Sequence, residues 1–348
     1  MKIAVDAMGG DNAPQEIITG VKQARDLYPD IEFLIYGNEQ SVLPLIKDET
    51  RLTFIASNDD IEMGEEPVRA IRKKKTSSIV LAANAVKDGQ ADAFFSAGNT
   101  GAVLAAGLFV VGRIKGIDRP GLTSILPVAN PHSSQTNFIY LDTGANAESK
   151  TKNLVQYAYL GKFYAQKVLN VKTPRIALLN NGGEADKGDT LHKEVYQELS
   201  QNDDLNFVGN VEASDLLSGK ADIVVTDGWT GNAALKATEG TAKTMLSLIK
   251  AGILSGGLRA KLGYLLLKKV FGKIGVTMST STYGGAVLLG LKAPVVKTHG
   301  SAKADAVKNT IGQIKTMIES QVIEETVTYF EPTTAETKDS MDNHDENS

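Results

Sequence analysis

Ala91-Asp92-Ala93-Phe94-Phe95-Ser96-Ala97-Gly98-Asn99-Thr100-Gly101-Ala102 and Ala221-Asp222-Ile223-Val224-Val225-Thr226-Asp227-Gly228-Trp229-Thr230-Gly231-Asn232 are two copies of one pattern, A-D-x-x-x-[ST]-x-G-x-T-G. Each copy is a short apolar run, then a small polar loop, then a segment rich in Ala, Leu and Val. That order reads as strand, Gly-rich turn and helix N-terminus. Such a turn leaves backbone N–H groups uncovered at the positive end of a helix dipole, which favours an anion. One copy alone is satisfied by an ordinary βα turn. Two near-identical copies point to an anion site built between them, with Ser96, Gly98, Asn99, Thr100 and Gly101 of the first loop and Asp227, Gly228, Thr230 and Gly231 of the second as phosphate-binding residues.

Working outward, strand-like runs at 2–6, 31–36, 52–56, 122–126, 137–142, 175–180 and 295–297 alternate with helical periodicity. Helices are expected at 14–28, 66–75, 78–87, 100–111 and 148–169, and from a cap at 299–301 to about Val322. Alternation of this kind predicts an α/β protein with a large mixed, mostly parallel sheet between two helical layers. Lys2-Ile3-Ala4-Val5 with Gly9-Gly10-Asp11 is echoed by Arg175-Ile176-Ala177-Leu178 with Gly182-Gly183-Glu184. Both halves, about 1–172 and 173–330, therefore run in the same order within one catalytic domain. The offsets between copies, 173 and 130, exclude a fixed-period repeat. They fit a duplication with an insertion in the first half, and they also fit chance matching of short Gly pairs.

The 348 residues have a formal charge of −4, 42% apolar residues and 22% charged ones, as expected for a globular chain with a large core. The start runs straight into strand-like sequence, so no signal peptide is expected, and no run approaches the ~18 apolar residues of a membrane span. The chain has no cysteine, which excludes thiolate nucleophiles, disulfides and Cys-ligated metal. A cytoplasmic protein is expected.

Charge is segregated. Between Glu239 and Asp305 there are ten Lys or Arg and no acidic residue. Within that stretch, 244–275 alternates apolar stripes with lysines around a Ser255-Gly256-Gly257 break, and reads as two amphipathic helices with basic faces. A buried hairpin, a dimer interface or contact with anionic lipid each account for it, the last through Leu258, Leu262, Leu265, Leu266, Lys268 and Lys269. A second basic cluster, Arg69, Arg72, Lys73, Lys74 and Lys75, is either a solvated helix end or a dock for an acidic carrier protein. The polar, acidic tail 331–348 is expected to be disordered.

Common catalytic templates are missing. There is no G-x-S-x-G elbow, no H-E-x-x-H and no G-x-G-x-x-G, and Gly183 to Thr190 resembles a Walker loop with Asp189 where the lysine belongs. Lys187 is either a solvated lysine or a cation over an anionic substrate. His299 admits a general base or a polar cap, while His132, His192 and His344 read as surface residues. Trp229 either shapes a slot for an apolar chain or anchors its loop.

Several stretches taken together resemble the PlsX phosphate acyltransferases of bacterial phospholipid synthesis. They are Val5-Asp-Ala-Met-Gly-Gly-Asp-Asn-Ala-Pro14, Ser96-Ala-Gly-Asn-Thr-Gly101, Gly112-Arg-Ile-Lys-Gly-Ile-Asp-Arg-Pro120, Thr226-Asp-Gly-Trp-Thr-Gly-Asn232, Tyr283-Gly-Gly-Ala286 and Lys297-Thr-His-Gly300. The likeness runs in order from Met1 to about Val322. It implies transfer of a long acyl group from an acyl carrier protein thioester to inorganic phosphate, giving acyl phosphate for a downstream membrane acyltransferase. It also implies a homodimer at the membrane periphery. No cofactor, metal or nucleic-acid partner is expected. The implied fold is that of isopropylmalate dehydrogenases and phosphotransacetylases. The segment 180–188 departs from the family pattern but keeps the Lys-Gly pair, so Lys187 carries over. With Asn232 and His299 it forms the expected catalytic set, and Asp6, Gly9, Gly10, Asp11 and Asn12 join the phosphate-binding residues. A phosphotransacetylase-type enzyme using short acyl-coenzyme A and a non-catalytic carrier-binding scaffold are the alternatives.

Overall fold

The computed structural model describes residues 1–130, 132–133, 135–277 and 284–331. Its elements begin with β1 (Lys2–Asp6), α1 (Gln15–Leu27), β2 (Glu32–Gly37), α2 (Glu39–Val42), β3 (Leu52–Ala56), α3 (Pro67–Lys73) and α4 (Ser78–Lys87). Next come β4 (Ala93–Ser96), α5 (Thr100–Ala106), β5 (Gly121–Pro127), β6 (Asn137–Leu141), α6 (Thr151–Lys167), β7 (Ile176–Asn180) and α7 (Thr190–Ser200). The chain continues through β8 (Phe207–Glu212), β9 (Ile223–Val225), α8 (Gly228–Ser255) and α9 (Gly257–Thr277). It finishes with β10 (Ala286–Leu289), β11 (Val295–Lys297), α10 (Ala304–Glu319) and α11 (Val322–Phe330).

The chain divides into two compact units that exchange segments. One holds Met1–Pro120, Lys162–Lys172 and the residues from Val287 on; the other holds Gly121–Gly161 and Thr173–Ala286. These bounds differ from halves at 1–172 and 173–330, because a repeat in sequence records chain order while compactness follows strand pairing. In the first unit the strand order is β3-β2-β1-β4-β11-β10, and the pairs β3–β2, β2–β1, β1–β4 and β4–β11 are all parallel. In the second it is β5-β6-β9-β7-β8, parallel except for the β5–β6 pair. The expected α/β architecture with a mostly parallel sheet is what forms.

Burial explains the strands. β4 and β9 are buried at every residue, as strands covered by helices on both faces must be, and β1 is buried from its second residue on. The echo has a counterpart in pairing. β1 lies between β2 and β4, and β7 lies between β8 and β9, so each K/R-I-A strand borders its own A-D strand. The core of the second unit gathers Leu126, Phe138, Tyr140, Leu179, Val211 and Val224, and the early α8 residues Ala234 and Leu235 pack on it.

Several elements depart from the sequence reading. Residues 190–212, which carried no assignment, form α7 and the half-exposed strand β8, whose register shifts near its start. The helix expected to run to about Val322 stops at Glu319, Gln321 turns into the left-handed region with φ 55°, and α11 follows beyond the expected span. Of the stretch Tyr283-Gly-Gly-Ala286, Ala286 opens β10, and Tyr283 lies outside the described residues. The tail beyond 331, with His344, also lies outside them.

Candidate active site

In the first unit β1, β4 and β11 end side by side, so the loops that follow them lie at their shared carboxyl end, where open α/β sheets place ligands. Asp6 closes β1 and is 3% exposed. Its carboxylate accepts Ser78 Oγ at 2.6 Å, Ser96 Oγ at 2.6 Å and the Met8 N–H at 3.1 Å. Burial pushes this carboxyl above the ordinary carboxylate range, against the pull of those donors. Ser96 Oγ in turn accepts the Gly98 N–H at 2.9 Å, which fixes the first signature loop. The cavity behind the loop, bordered by Asp6, Gly9, Ser78 and Gly98, holds ≈ 10 Å³, too little for a phosphate and at the limit for one water. Asp6 and Ser96 therefore support the loop from behind.

The glycines have a packing reason. A Cβ on Gly9 would lie 2.5 Å from the Gly98 nitrogen, and one on Gly101 would lie 2.4 Å from Pro67 Cγ. Gly10 has φ 103°, and the next residue, Asp11, donates its N–H to the Gly300 carbonyl at 2.8 Å. Asn12 Nδ2 reaches the Ser301 and Ala302 carbonyls at 3.1 and 3.2 Å. Asn99 is fully engaged: Oδ1 caps α5 by accepting the Ala102 N–H at 3.0 Å, and Nδ2 holds the Met63 carbonyl at 2.9 Å. Thr100, the first residue of α5, is exposed.

His299 is exposed, and its Nδ1 accepts the Ser301 N–H at 3.2 Å and faces Ser301 Oγ at 2.9 Å. That is the geometry of a polar cap. Two residues before it is Lys297, which opens the Lys297-Thr-His-Gly300 stretch but has no role assigned from sequence; it is the last residue of β11 and 8% exposed. Its Nζ donates to the Ala97 carbonyl at 3.3 Å and to the Thr298 carbonyl. Burial lowers its pKa to about 8, with Asp6 and Asp11 pulling the other way. A buried ammonium thus sits directly under the first signature loop. Only pairing of β11 with β4 puts it there.

In the second unit β6, β9 and β7 end together. The centre of this end is Asp142, 0% exposed, another residue not singled out from sequence. Its carboxylate accepts five bonds: the N–H groups of Leu122, Gly144, Ala145 and Asn146, and Asn146 Nδ2, all within 2.8–3.0 Å. Burial raises its pKa while these donors oppose the rise. A Cβ on Gly228 would lie 2.2 Å from the Asn146 carbonyl oxygen, and one on Gly231 1.9 Å from that of Asp142. The G-x-T-G of the second signature thus seats the first turn of α8 on the 142–146 loop.

Asp227 caps α8, its Oδ1 accepting the N–H of the half-buried Thr230 at 2.9 Å. His192 is not a surface residue. Its ring is 12% exposed, with Nδ1 at 2.7 Å from Asp189 Oδ1 and Nε2 at 3.8 Å from Asp227 Oδ2. The His192 N–H and ring hold the Asp189 carboxyl below the usual range. Lys187 stands on the 181–188 loop, its side chain 44% exposed and its Nζ only loosely held by Glu184 at 3.8 Å. Asn232 lies against Gly144, and its side-chain amide makes no hydrogen bond among the described residues. Trp229 is 71% exposed, so it does not anchor its loop by burial.

Of the basic cluster, Arg69, Arg72, Lys73 and Lys75 are exposed, while Lys74 Nζ is spent on Glu65 Oε1 and the Asp60 carbonyl, both at 2.6 Å. That pairing raises the Lys74 pKa. On α9, Leu262, Leu265 and Leu266 are 55%, 66% and 85% exposed, and Lys268 and Lys269 are exposed beside them. The side chain of Leu258 lies outside the described residues. The hairpin of α8 and α9 is therefore not buried by this chain itself. No helix among the described residues is long and apolar enough to cross a membrane.

Glycine-packed loops at the carboxyl ends of parallel strands, over buried carboxylates and a buried lysine, define an open α/β protein with its candidate site at the strand ends. The chain superimposes on a phosphotransacetylase from Streptococcus pyogenes with TM-score 0.58 and 16% identity, covering 93% of this chain and 94% of that one. A branched-chain phosphotransacylase from Enterococcus faecalis V583 gives TM-score 0.58 at 15% identity, over 91% and 99%. At such identities the likeness is one of fold. The family described as fatty acid synthesis protein matches residues 1–325, and a phosphate acyltransferase of Limosilactobacillus reuteri (strain DSM 20016) is 73% identical over 347 residues, 100% of both chains. The chain belongs to that family, the PlsX acyltransferases.

Proposed function

We propose that this chain transfers a long acyl group from an acyl carrier protein thioester to inorganic phosphate, releasing acyl phosphate. The observation that carries the reading is full-length identity of 73% to a relative named phosphate acyltransferase. The geometry of the second unit supports it. Asn232 keeps a free amide within the first turns of a helix whose start is locked in place, and Lys187 offers an ammonium held only at 3.8 Å by Glu184. These two groups orient the phosphate. A phosphate oxygen forms a bond to the thioester carbonyl carbon, the C–S bond breaks, and the carrier thiolate leaves to be protonated by solvent. Proximity and donors near the developing oxyanion supply the acceleration. No acyl-enzyme forms in this scheme, since the chain has no cysteine and no serine elbow.

Arg69, Arg72, Lys73 and Lys75 serve to dock the acidic carrier. The exposed apolar and basic faces of α8 and α9 belong to an anionic membrane surface on the cytoplasmic side, to a second copy of the chain, or to both, with acyl phosphate handed on to a membrane acyltransferase. The test is phosphate-dependent thioester cleavage by the purified chain, with acyl carrier protein and coenzyme A donors compared. Lys187→Ala and Asn232→Ala should each lose most turnover with folding unchanged. Near-normal rates in both would sink the assignment, and a burst of carrier release without phosphate would indicate a covalent intermediate.

A further inference from the structure

We propose that the indole of Trp229 is the contact for the first methylenes of the donor's acyl chain, and so the residue that favours long chains over short ones. The inference rests on the reading above and names a further residue of the same site. Trp229 is the chain's sole tryptophan and is left 71% exposed, an unusual place for the largest apolar side chain. It is also rigidly presented. Gly228 and Gly231 flank it within one helical turn, each seated so closely on the 142–146 loop that a methyl group would overlap backbone oxygen. The Asp227 cap fixes the same turn from its other end. The backbone under the indole therefore has little freedom, and an exposed ring held this way is a preorganised apolar surface.

Position sets what it can touch. Asn232 is three residues on, so the two Cβ atoms are neighbours on one helix face, about 5–6 Å apart. With phosphate held at the Asn232 amide, the carbonyl it attacks lies next to it, and the indole lies beside the carbons that follow that carbonyl. An acetyl group ends before it reaches the ring, whereas a longer chain covers it. The neighbours at 228, 230, 231 and 233 are Gly, Thr, Gly and Ala, and the one charged residue of the turn, Asp227, is spent on its cap bond to the Thr230 N–H.

The single tryptophan makes the test direct. The full chain is titrated with dodecyl phosphate below its micelle concentration, with butyl phosphate, with inorganic phosphate, and with anionic vesicles alone, while tryptophan emission is recorded. A blue shift with dodecyl phosphate, smaller with butyl phosphate and absent with inorganic phosphate, is the expected result. Trp229→Ala should lower kcat/KM for a twelve-carbon donor by roughly tenfold to a hundredfold, mainly through KM, with a loss that shrinks as the chain shortens. Trp229→Phe should restore most of it. If dodecyl phosphate inhibits thioester cleavage yet leaves the emission unmoved, the inference fails and the acyl-transfer reading stands. A shift produced by vesicles alone also overturns it, because the ring then meets lipid. Absence of any phosphate-dependent cleavage overturns the reading itself.

Discussion

Replacing Lys297 by Met should change how stability depends on pH more than stability at any one pH. The ammonium is 8% exposed, and its pKa falls from 10.5 to about 8 through burial. The folded state therefore binds fewer protons than the unfolded chain between these two values, so unfolding free energy rises with pH across that window. At about 1.4 kcal/mol per unit, holding the charged lysine in place costs roughly 3 kcal/mol at neutral pH, of which about 2.5 kcal/mol is recovered from about pH 7 to about pH 10. Lys297→Met removes that penalty and also removes the donors to the Ala97 and Thr298 carbonyls, at about 1 kcal/mol each. The variant should be of equal or slightly higher stability at neutral pH. The difference should move by about 2.5 kcal/mol in the parent's favour on the way to pH 10, leaving the variant the less stable of the two there. Urea unfolding of both chains at several pH values measures this. A constant difference between them across the window would refute the placement of a charged lysine under the first signature loop.

Gly231→Ala should lower stability by about 3 kcal/mol, because its methyl group would lie 1.9 Å from the Asp142 carbonyl oxygen, whereas Gly183→Ala, with nothing within 4 Å, should change it by less than about 0.5 kcal/mol. Comparable urea midpoints for the two variants would remove the packing explanation of the G-x-T-G motif. Leu262→Glu combined with Leu266→Glu should abolish co-sedimentation with anionic vesicles while leaving phosphate-dependent thioester cleavage in solution intact, since both side chains are exposed on α9. Unchanged sedimentation would point instead to a second copy of the chain as the cover for this helix, which the mass of the particle in solution would then show.

Local pattern made much of this protein readable. The two A-D strands, their Gly-rich turns and the helices beyond them follow from residues close together in the chain, and the interruption at Ser255-Gly256-Gly257 is where α8 gives way to α9. Where the reading fell short, the deciding contact came from far away. Asn99 lies in a small polar loop, as a phosphate ligand would, yet its amide is consumed by the 62–65 loop more than thirty residues earlier. Lys74 belongs to a basic run, yet Glu65 and the Asp60 carbonyl take its ammonium. His192 sits among polar residues, yet Asp227 of a different helix faces its ring.

The sequence by itself determined the class of fold, the alternation of strand and helix, the family and the pair of signature loops. Side-chain period and turn chemistry are local properties, and the motifs are contiguous. Tertiary structure alone decided what the signature residues do. The glycines clear a path for backbone atoms of other loops, and Asp6 and Asp142 gather N–H and hydroxyl donors behind those loops. Lys297 is carried beneath the first loop by strand pairing across 200 residues, and Trp229 is left in solvent on a turn that cannot move away. Burial and close approach are sums over neighbours from distant parts of the chain, and no window of sequence contains them.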